Sequence, residues 1–227
     1  MRTIIEWAIE TTLVIVHFPS NVLYPFINFN KINKKPTQKR PIILVERWFT
    51  RNPFHIFPKM YLEKKGYRVY SINSTLLNGT FDQAADELKK FIGKHKLENV
   101  VLVGISAGAT TCLTYLKKHY GWQTTDIFIS IGGSVKGSPL SKIIPLPSVK
   151  ELLPNSEFLK NLSALPNEKL SQIVTLSAKH DSMVPMKYST IAGADNKIID
   201  VAGHNLLHTF WIPTYRKVAE IAKRQQL

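Results

Sequence analysis

Short apolar runs that alternate with helical patterns are the feature of this sequence that most constrains its fold. The runs PIILVE (41 to 46), NVVLVGI (99 to 105) and TDIFISIGG (125 to 133) are rich in β-branched residues, as buried strands are. Further strands are predicted at 67 to 73, 171 to 178 and 197 to 203. Strand–helix alternation with continuous apolar strands predicts an α/β fold: a mostly parallel central sheet with helices on both faces.

The helical patterns between these strands have recognisable ends. Thr80 and Gln83 form a capping-box signature at the start of a predicted helix over 81 to 95. Other helices are predicted over 54 to 66, after Ser106 and from Pro213 onward. One segment breaks the alternation, a proline-rich apolar insertion at about 134 to 168. Its position between two strands predicts a small lid or cap, and plain packing is the alternative.

A single serine lies between two glycines where the apolar run at 99 to 105 meets a predicted helix. In VGISAG a sharp strand-to-helix turn would expose Ser106 in a strained backbone conformation. Only small residues fit beside such a turn, which accounts for Gly104 and Gly108. The helix N-terminus adds positive dipole, and the backbone N–H of Ala107 would be one oxyanion donor. The alternative is a tight turn with a passive serine.

A nucleophilic serine needs a base and an acid, and both are predicted at the same sheet edge. Asp181 follows the strand at 171 to 178, and His204 follows the strand at 197 to 203. His204 would take the Ser106 proton, and Asp181 would orient the imidazole. Asp200 is the rival acid, but it falls inside a strand. His208 is assigned to packing or surface, and the only cysteine, Cys112, to the core.

These residues, in this order, resemble small lipases and esterases of the α/β-hydrolase fold. The resemblance runs from about Pro41 to the C-terminus and rests on PIILVERWF, LEKKGYRVYSIN, VGISAG, ISIGGSVKGSPLS, HDSMVP and GHNLL. It implies a serine hydrolase that cleaves carboxylic esters, of lipid or acylglycerol type, through an acyl-enzyme and without a metal or organic cofactor. Candidate substrate-binding residues are Phe49, Ile143, Ile144 and Leu146.

The sequence departs from such lipases in two places. Glu46-Arg47 occupies the usual His-Gly position after the first strand, with Trp48 at the expected second oxyanion donor. A charged pair there costs desolvation unless it is satisfied, for example by an ion pair at the rim of the site. GSVKGS also lacks the Pro-His turn that such lipases often carry. The alternative function is therefore a non-catalytic or weakly active relative that binds lipid or a protein partner.

Charge and the N-terminal residues bear on partners and location. The formal charge of +14 favours an anionic partner, although a soluble protein with scattered basic residues is the plain alternative. Residues 1 to 40 are predicted to form an apolar helix and loop that pack on the domain at 41 to 227 or dip into a membrane surface. The basic run KINKKPTQKR (31 to 40) suits an anionic bilayer. No clear signal peptide is present, so we expect a cytoplasmic or peripherally membrane-associated protein.

Several other functions lack the residues they need. Aromatic-basic motifs of the kind that bind nucleic acid are missing from the sequence. No cluster of histidine, cysteine and carboxylate residues has metal-ligand spacing. With one cysteine, no internal disulfide can form, and the sequence gives no sign of an oxidising compartment.

Overall fold

A six-stranded parallel sheet organises the described part of the chain. The computed structural model describes residues 4–5, 8–9, 11–13, 37–47, 56–74, 79–144, 147–209 and 211–223. The strands are β1 Ile42–Arg47, β2 Val69–Ser74, β3 Val100–Ile105, β4 Thr125–Ile131, β5 Ile173–His180 and β6 Asp195–Ala202. They lie in the order β2-β1-β3-β4-β5-β6, and every neighbouring pair is parallel. The predicted α/β fold is confirmed.

Helices cover both faces of this sheet. They are α1 Ile56–Lys64, α2 Phe81–Lys94, α3 Ala107–Lys118, α4 Pro147–Lys150, α5 Glu157–Ser163, α6 Met186–Ser189, α7 His204–Thr209 and α8 Ile212–Lys223. Alternate residues of β1 enter two different cores, since Ile42 and Leu44 pack with α1, α7 and α8. Ile43 and Val45 pack with α2 and α3 on the other face. This period of two is what a strand buried on both faces requires.

Strand register brings the carboxyl ends of the strands to one edge. Val45 of β1 lies opposite Gly104 of β3, and Ile131 of β4 lies opposite both Ile105 and Leu176. At the far side His180 pairs with Ala202. The segments that follow β1, β3, β4, β5 and β6 therefore start from neighbouring points, which is where ligand sites form in sheets of this kind.

The capping box predicted for α2 is confirmed. The Thr80 hydroxyl accepts a hydrogen bond from the Gln83 N–H at 3.2 Å, and the Gln83 side chain accepts one from the Thr80 N–H at 2.9 Å. Two backbone donors of the first helical turn are thereby satisfied.

The proline-rich insertion packs against α2. The rings of Phe81 and Phe158 stack at 5.5 Å, and the Phe81 N–H donates to the Glu151 carboxylate at 3.0 Å. Leu152 and Leu159 are buried in the core of the same face. These contacts agree with the packing alternative for this part of the insertion. A lid over the sheet edge stays a prediction.

The described N-terminal residues are helical, and one of them joins the core of the domain. Leu13 is buried in the core beneath α1 and α8, whereas Ile4, Ile5 and Ile9 are 73%, 54% and 42% exposed. None of the helices in the described part of the chain combines the length and apolar character needed to cross a membrane. Residues 14 to 36, which include the first six residues of the basic run, lie outside that part.

Candidate active site

Ser106 occupies a strained turn between β3 and α3. Its φ of 52° and ψ of −125° lie in a region that residues with a Cβ rarely adopt. The Ser106 N–H donates to the Ile131 carbonyl at 3.0 Å, which ties the turn to the end of β4. The predicted strained conformation is confirmed. Such strain persists only where the surrounding structure imposes it, and it is typical of functional sites.

Close packing of backbone explains the two flanking glycines. A Cβ on Gly104 would lie 2.4 Å from the Ala109 Cα, and a Cβ on Gly108 would lie 2.1 Å from the Val45 carbonyl oxygen. Both contacts are with backbone atoms, which cannot move aside as a flexible side chain would. The glycines therefore allow α3 to approach β3 and β1 closely.

His204 lies within hydrogen-bond distance of the serine. His204 Nε2 is 2.9 Å from Ser106 Oγ, although the two residues are far apart in sequence. His204 is the first residue of α7, and the preceding Gly203 has a φ of 121°, which favours glycine. A Cβ on Gly132 would lie 3.3 Å from His204 Cε1, so this glycine leaves space for the imidazole.

Asp181 completes a chain of three side chains. Its Oδ2 is 2.7 Å from His204 Nδ1, and its Oδ1 accepts hydrogen bonds from the N–H groups of Met183 and Val184 at 2.9 and 2.7 Å. The buried carboxylate is therefore fully hydrogen-bonded, as a buried charge must be. An ionised Asp181 accepts from Nδ1–H, which leaves Nε2 of a neutral imidazole free to accept from Ser106.

The rival acid lies elsewhere. Asp200 is 68% exposed in its side chain and faces Lys179 of the neighbouring strand β5 at 3.7 Å. Of the two carboxylates weighed from the sequence, Asp181 is the one that contacts His204. Its position directly after β5 places it at the sheet edge, whereas Asp200 lies inside β6.

The structure describes only part of the predicted oxyanion and substrate residues. Ala107 is the first residue of α3, so its N–H has no intrahelical acceptor and is available to an anion. Ile143 is 75% exposed and Ile144 is half-buried. The second predicted donor and the remaining substrate candidates lie outside the described residues: Trp48, Phe49 and Leu146.

Glu46 is buried next to His208, a contact that the sequence did not predict. The Glu46 carboxylate is 2% exposed and its Oε1 lies 3.9 Å from His208 Nδ1. Glu46 therefore lies in the interior and not at the rim. The expected ion pair between Glu46 and Arg47 stays a prediction, because the Arg47 side chain lies outside the described part of the chain. Spacing in the sequence places His208 one helical turn after His204 and on the same side of α7, but it does not point to Glu46.

Cys112 is confirmed as a core residue. It is fully buried on α3, and burial raises the pKa of its thiol well above the ordinary value of 9.0. The thiol therefore stays protonated and is a poor nucleophile. Within the ranges that the structure describes, no group of three or more histidine, cysteine and carboxylate residues is arranged to hold a metal ion.

Comparison with solved structures identifies the fold. The Bacillus licheniformis lipase BlEst2 in its mature form matches with a TM-score of 0.71 and 15% identity, over 84% of this chain and 96% of that one. The esterase EaEST from Exiguobacterium antarcticum matches with a TM-score of 0.61 and 16% identity, over 81% and 92%. The Bacillus subtilis carboxylesterase CesB matches with a TM-score of 0.58 and 12% identity, over 94% and 98%.

The chain thus has the α/β-hydrolase fold, and the resemblance to lipases and esterases is confirmed at the level of structure. At the level of sequence, neither a protein-family model nor a curated protein matches it. Identities this low establish the fold alone, and a fold hosts many reactions. The function has to be argued from the site.

Proposed function

We propose that this protein is a serine hydrolase that cleaves carboxylic esters, with Ser106, His204 and Asp181 as its catalytic triad. The observation that carries the proposal is the continuous hydrogen-bonded chain from Ser106 Oγ to His204 and on to Asp181, at 2.9 and 2.7 Å. This chain starts at a strained serine on a strand-to-helix turn. The combination is the arrangement by which a weakly acidic hydroxyl becomes a nucleophile.

Acylation begins when Ser106 Oγ attacks the ester carbonyl carbon. His204 Nε2 accepts the hydroxyl proton, and the negative charge that develops on the carbonyl oxygen is stabilised by the Ala107 N–H and the N-terminus of α3. The tetrahedral intermediate then breaks its bond to the leaving oxygen, which takes the proton from His204. An acyl-Ser106 ester and an alcohol result. Asp181 keeps the imidazole in the required tautomer and stabilises its cationic form.

Deacylation repeats these steps with water. His204 removes a proton from a water molecule, the resulting hydroxide adds to the acyl carbon, and the second intermediate expels Ser106 Oγ. The serine recovers its proton from His204, and a carboxylic acid leaves. The same three side chains, Ser106, His204 and Asp181, carry out acylation and deacylation, and neither reaction needs a cofactor.

A lipid or acylglycerol-like ester is the proposed substrate class. Two properties support it: exposed apolar residues of the insertion at 134 to 168, such as Ile143, which would contact an acyl chain, and the positive charge of +14, which favours an anionic interface. Solved neighbours of similar shape include a lipase and a carboxylesterase. Thioesters and amides react by the same triad chemistry, so they belong in the substrate panel.

An active-site-directed fluorophosphonate probe tests the proposal. Wild type is expected to be labelled, and Ser106→Ala to lose all labelling. Ser163→Ala is the matched control, because Ser163 is an exposed serine on α5 and should leave labelling unchanged. p-Nitrophenyl esters of increasing chain length, with a thioester and an anilide, then rank the substrates. Equally poor reaction of wild type and Ser106→Ala would reject the hydrolase.

The buried Glu46 favours one alternative function. Glu46 lies in β1, at the position where the lipases that the sequence resembles carry His-Gly, and it places a carboxylate in the interior beside His208. A non-catalytic relative that binds lipid or a protein partner would tolerate this charge. In that case the probe would not label Ser106, while lipid binding would survive in Ser106→Ala.

A further inference from the structure

A second buried histidine–carboxylate pair lies beside the proposed general base. The rings of His208 and His204 lie 5.2 Å apart between centroids and meet at 81°, an edge-to-face contact. On its other side His208 Nδ1 faces Glu46 Oε1 at 3.9 Å, with the two side chains only 3% and 2% exposed. The steps proposed above for ester cleavage do not use either group.

The position of Glu46 depends on the same contacts that place the nucleophile. Glu46 lies near the end of β1, where a Cβ on Gly108 would come within 3.0 Å of the Glu46 Cα. The neighbouring Val45 pairs with Gly104 of β3. The backbone of Glu46 is thus held against the helix that follows Ser106, so any shift of β1 here would disturb the turn.

His208 is held from α8 as well. The Tyr215 hydroxyl donates a hydrogen bond to the His208 carbonyl, and Tyr215 is fully buried. Burial, and secondly the Glu46 charge, raise the pKa of Tyr215 well above its ordinary value of 10.0. The phenol therefore keeps its proton and remains a donor. The backbone of His208 is thus hydrogen-bonded to α8, while its ring faces Glu46 of β1.

The contact with His204 has a direct geometric consequence. The imidazole of His204 must keep Nδ1 on Asp181 and Nε2 on Ser106 at the same time, so rotation of the ring breaks one of the two bonds. A neighbouring ring that meets it edge-to-face restricts that rotation. Misplacement of a reacting group by about 1 Å can cost roughly 100-fold in rate.

We propose that Glu46 and His208 act as one positioning pair that holds the His204 ring in line with both Ser106 and Asp181. The inference rests on the proposed function, because it assigns a role within the same site. Glu46 orients His208, and His208 restrains His204. Neither residue touches the substrate, so the pair should affect the rate of the chemical step and leave substrate binding unchanged.

A double-mutant cycle tests the pair. Glu46→Gln and His208→Phe, which keeps a ring but removes the nitrogen facing Glu46, are each expected to lower kcat by about 10-fold with KM unchanged. Because the two residues act as a unit, the double variant should be no slower than the slower single variant. Glu98→Gln removes an exposed carboxylate as a matched control and should leave kcat unchanged. An unchanged kcat in the folded single variants would overturn the proposed positioning role. So would a double variant whose loss of kcat is the product of the two single losses.

A second readout separates this proposal from the hydrolase itself. In proton NMR, the His204 ring N–H bonded to Asp181 should give a sharp downfield signal in wild type that broadens in Glu46→Gln and in His208→Phe. This signal does not depend on turnover, so it tests the pair even if Ser106→Ala shows that the protein hydrolyses nothing. If His208→Phe does not fold, Glu46→Gln carries both measurements. A signal that stays equally sharp in the folded variants rejects the positioning role.

Discussion

At the scale of single residues, the orientation of Asp181 determines what His204 can do. Asp181 Oδ1 is committed to two backbone N–H groups, so only Oδ2 faces the imidazole. In Asp181→Asn the amide oxygen would keep the Oδ1 position and the NH₂ group would face Nδ1. The proton would then move to Nε2, which could no longer accept one from Ser106.

Asp181→Asn is accordingly expected to lower kcat by about 1,000- to 10,000-fold while the fold is retained. Stopped-flow or steady-state kinetics with a p-nitrophenyl ester measure the loss of kcat, and circular dichroism checks the fold. Asp200→Asn is the control, since Asp200 lies on the surface next to Lys179. Equal activity of Asp181→Asn and wild type would remove Asp181 from the mechanism.

Two glycines test the packing argument at the same scale. Gly108→Ala places a Cβ 2.1 Å from the Val45 carbonyl oxygen, whereas a Cβ on Gly93 in α2 meets nothing within 4 Å. Gly108→Ala should reduce the free energy of unfolding by about 1–3 kcal/mol. Gly93→Ala should increase it by about 0.5–1 kcal/mol, because alanine favours helix. Urea denaturation measures both, and similar effects of the two changes would contradict the steric account.

At the scale of secondary structure, α3 carries the serine at one end and is buried along most of its length. Its residues from Ala107 to Leu116 are all buried, and they pack against β3, β1 and α2. A helix buried along its length in this way can hold a strained turn at its end. It also buries Cys112, which makes the stability of the packing depend on pH.

The pH dependence of the unfolding free energy tests how completely the Cys112 thiol is buried. Its pKa is raised in the folded protein, so the folded state holds this proton more tightly than the unfolded state does. The contribution to stability is complete below the unfolded pKa and is lost as pH rises above about 8.5 to 9. Cys112→Ala should flatten the fall in unfolding free energy over that alkaline range. An unchanged slope would mean that the thiol is hydrated.

At the scale of the whole molecule, the sequence predicted the features that follow from local pattern. Alternating apolar runs were enough for β1 to β6, and residues that directly follow strands were enough to bring Asp181 and His204 to the edge with Ser106. The contact between Glu46 and His208 was not predicted. It joins residues far apart in sequence, and its formation depends on how α7 folds back over β1, which no short motif specifies.

The positive charge and the exposed N-terminal isoleucines suggest a membrane-surface partner, which is a proposal about the whole molecule. Ile4, Ile5 and Ile9 are exposed, while Leu13 packs into the core. Replacing these isoleucines with serine should reduce flotation with anionic liposomes and change little with neutral ones. Ile198→Ser, at an exposed position on edge strand β6, is the control. Equal flotation of the triple variant and wild type would reject this surface.

The most direct test of the account is to trap the covalent intermediate. After rapid mixing with a p-nitrophenyl ester and quenching in acid, intact-protein and peptide mass spectrometry should find one acyl group on the peptide that contains Ser106. Ser106→Ala should show no such increment. An ester that is hydrolysed without an acyl group on Ser106, or an acyl group that persists in Ser106→Ala, would contradict the proposed mechanism.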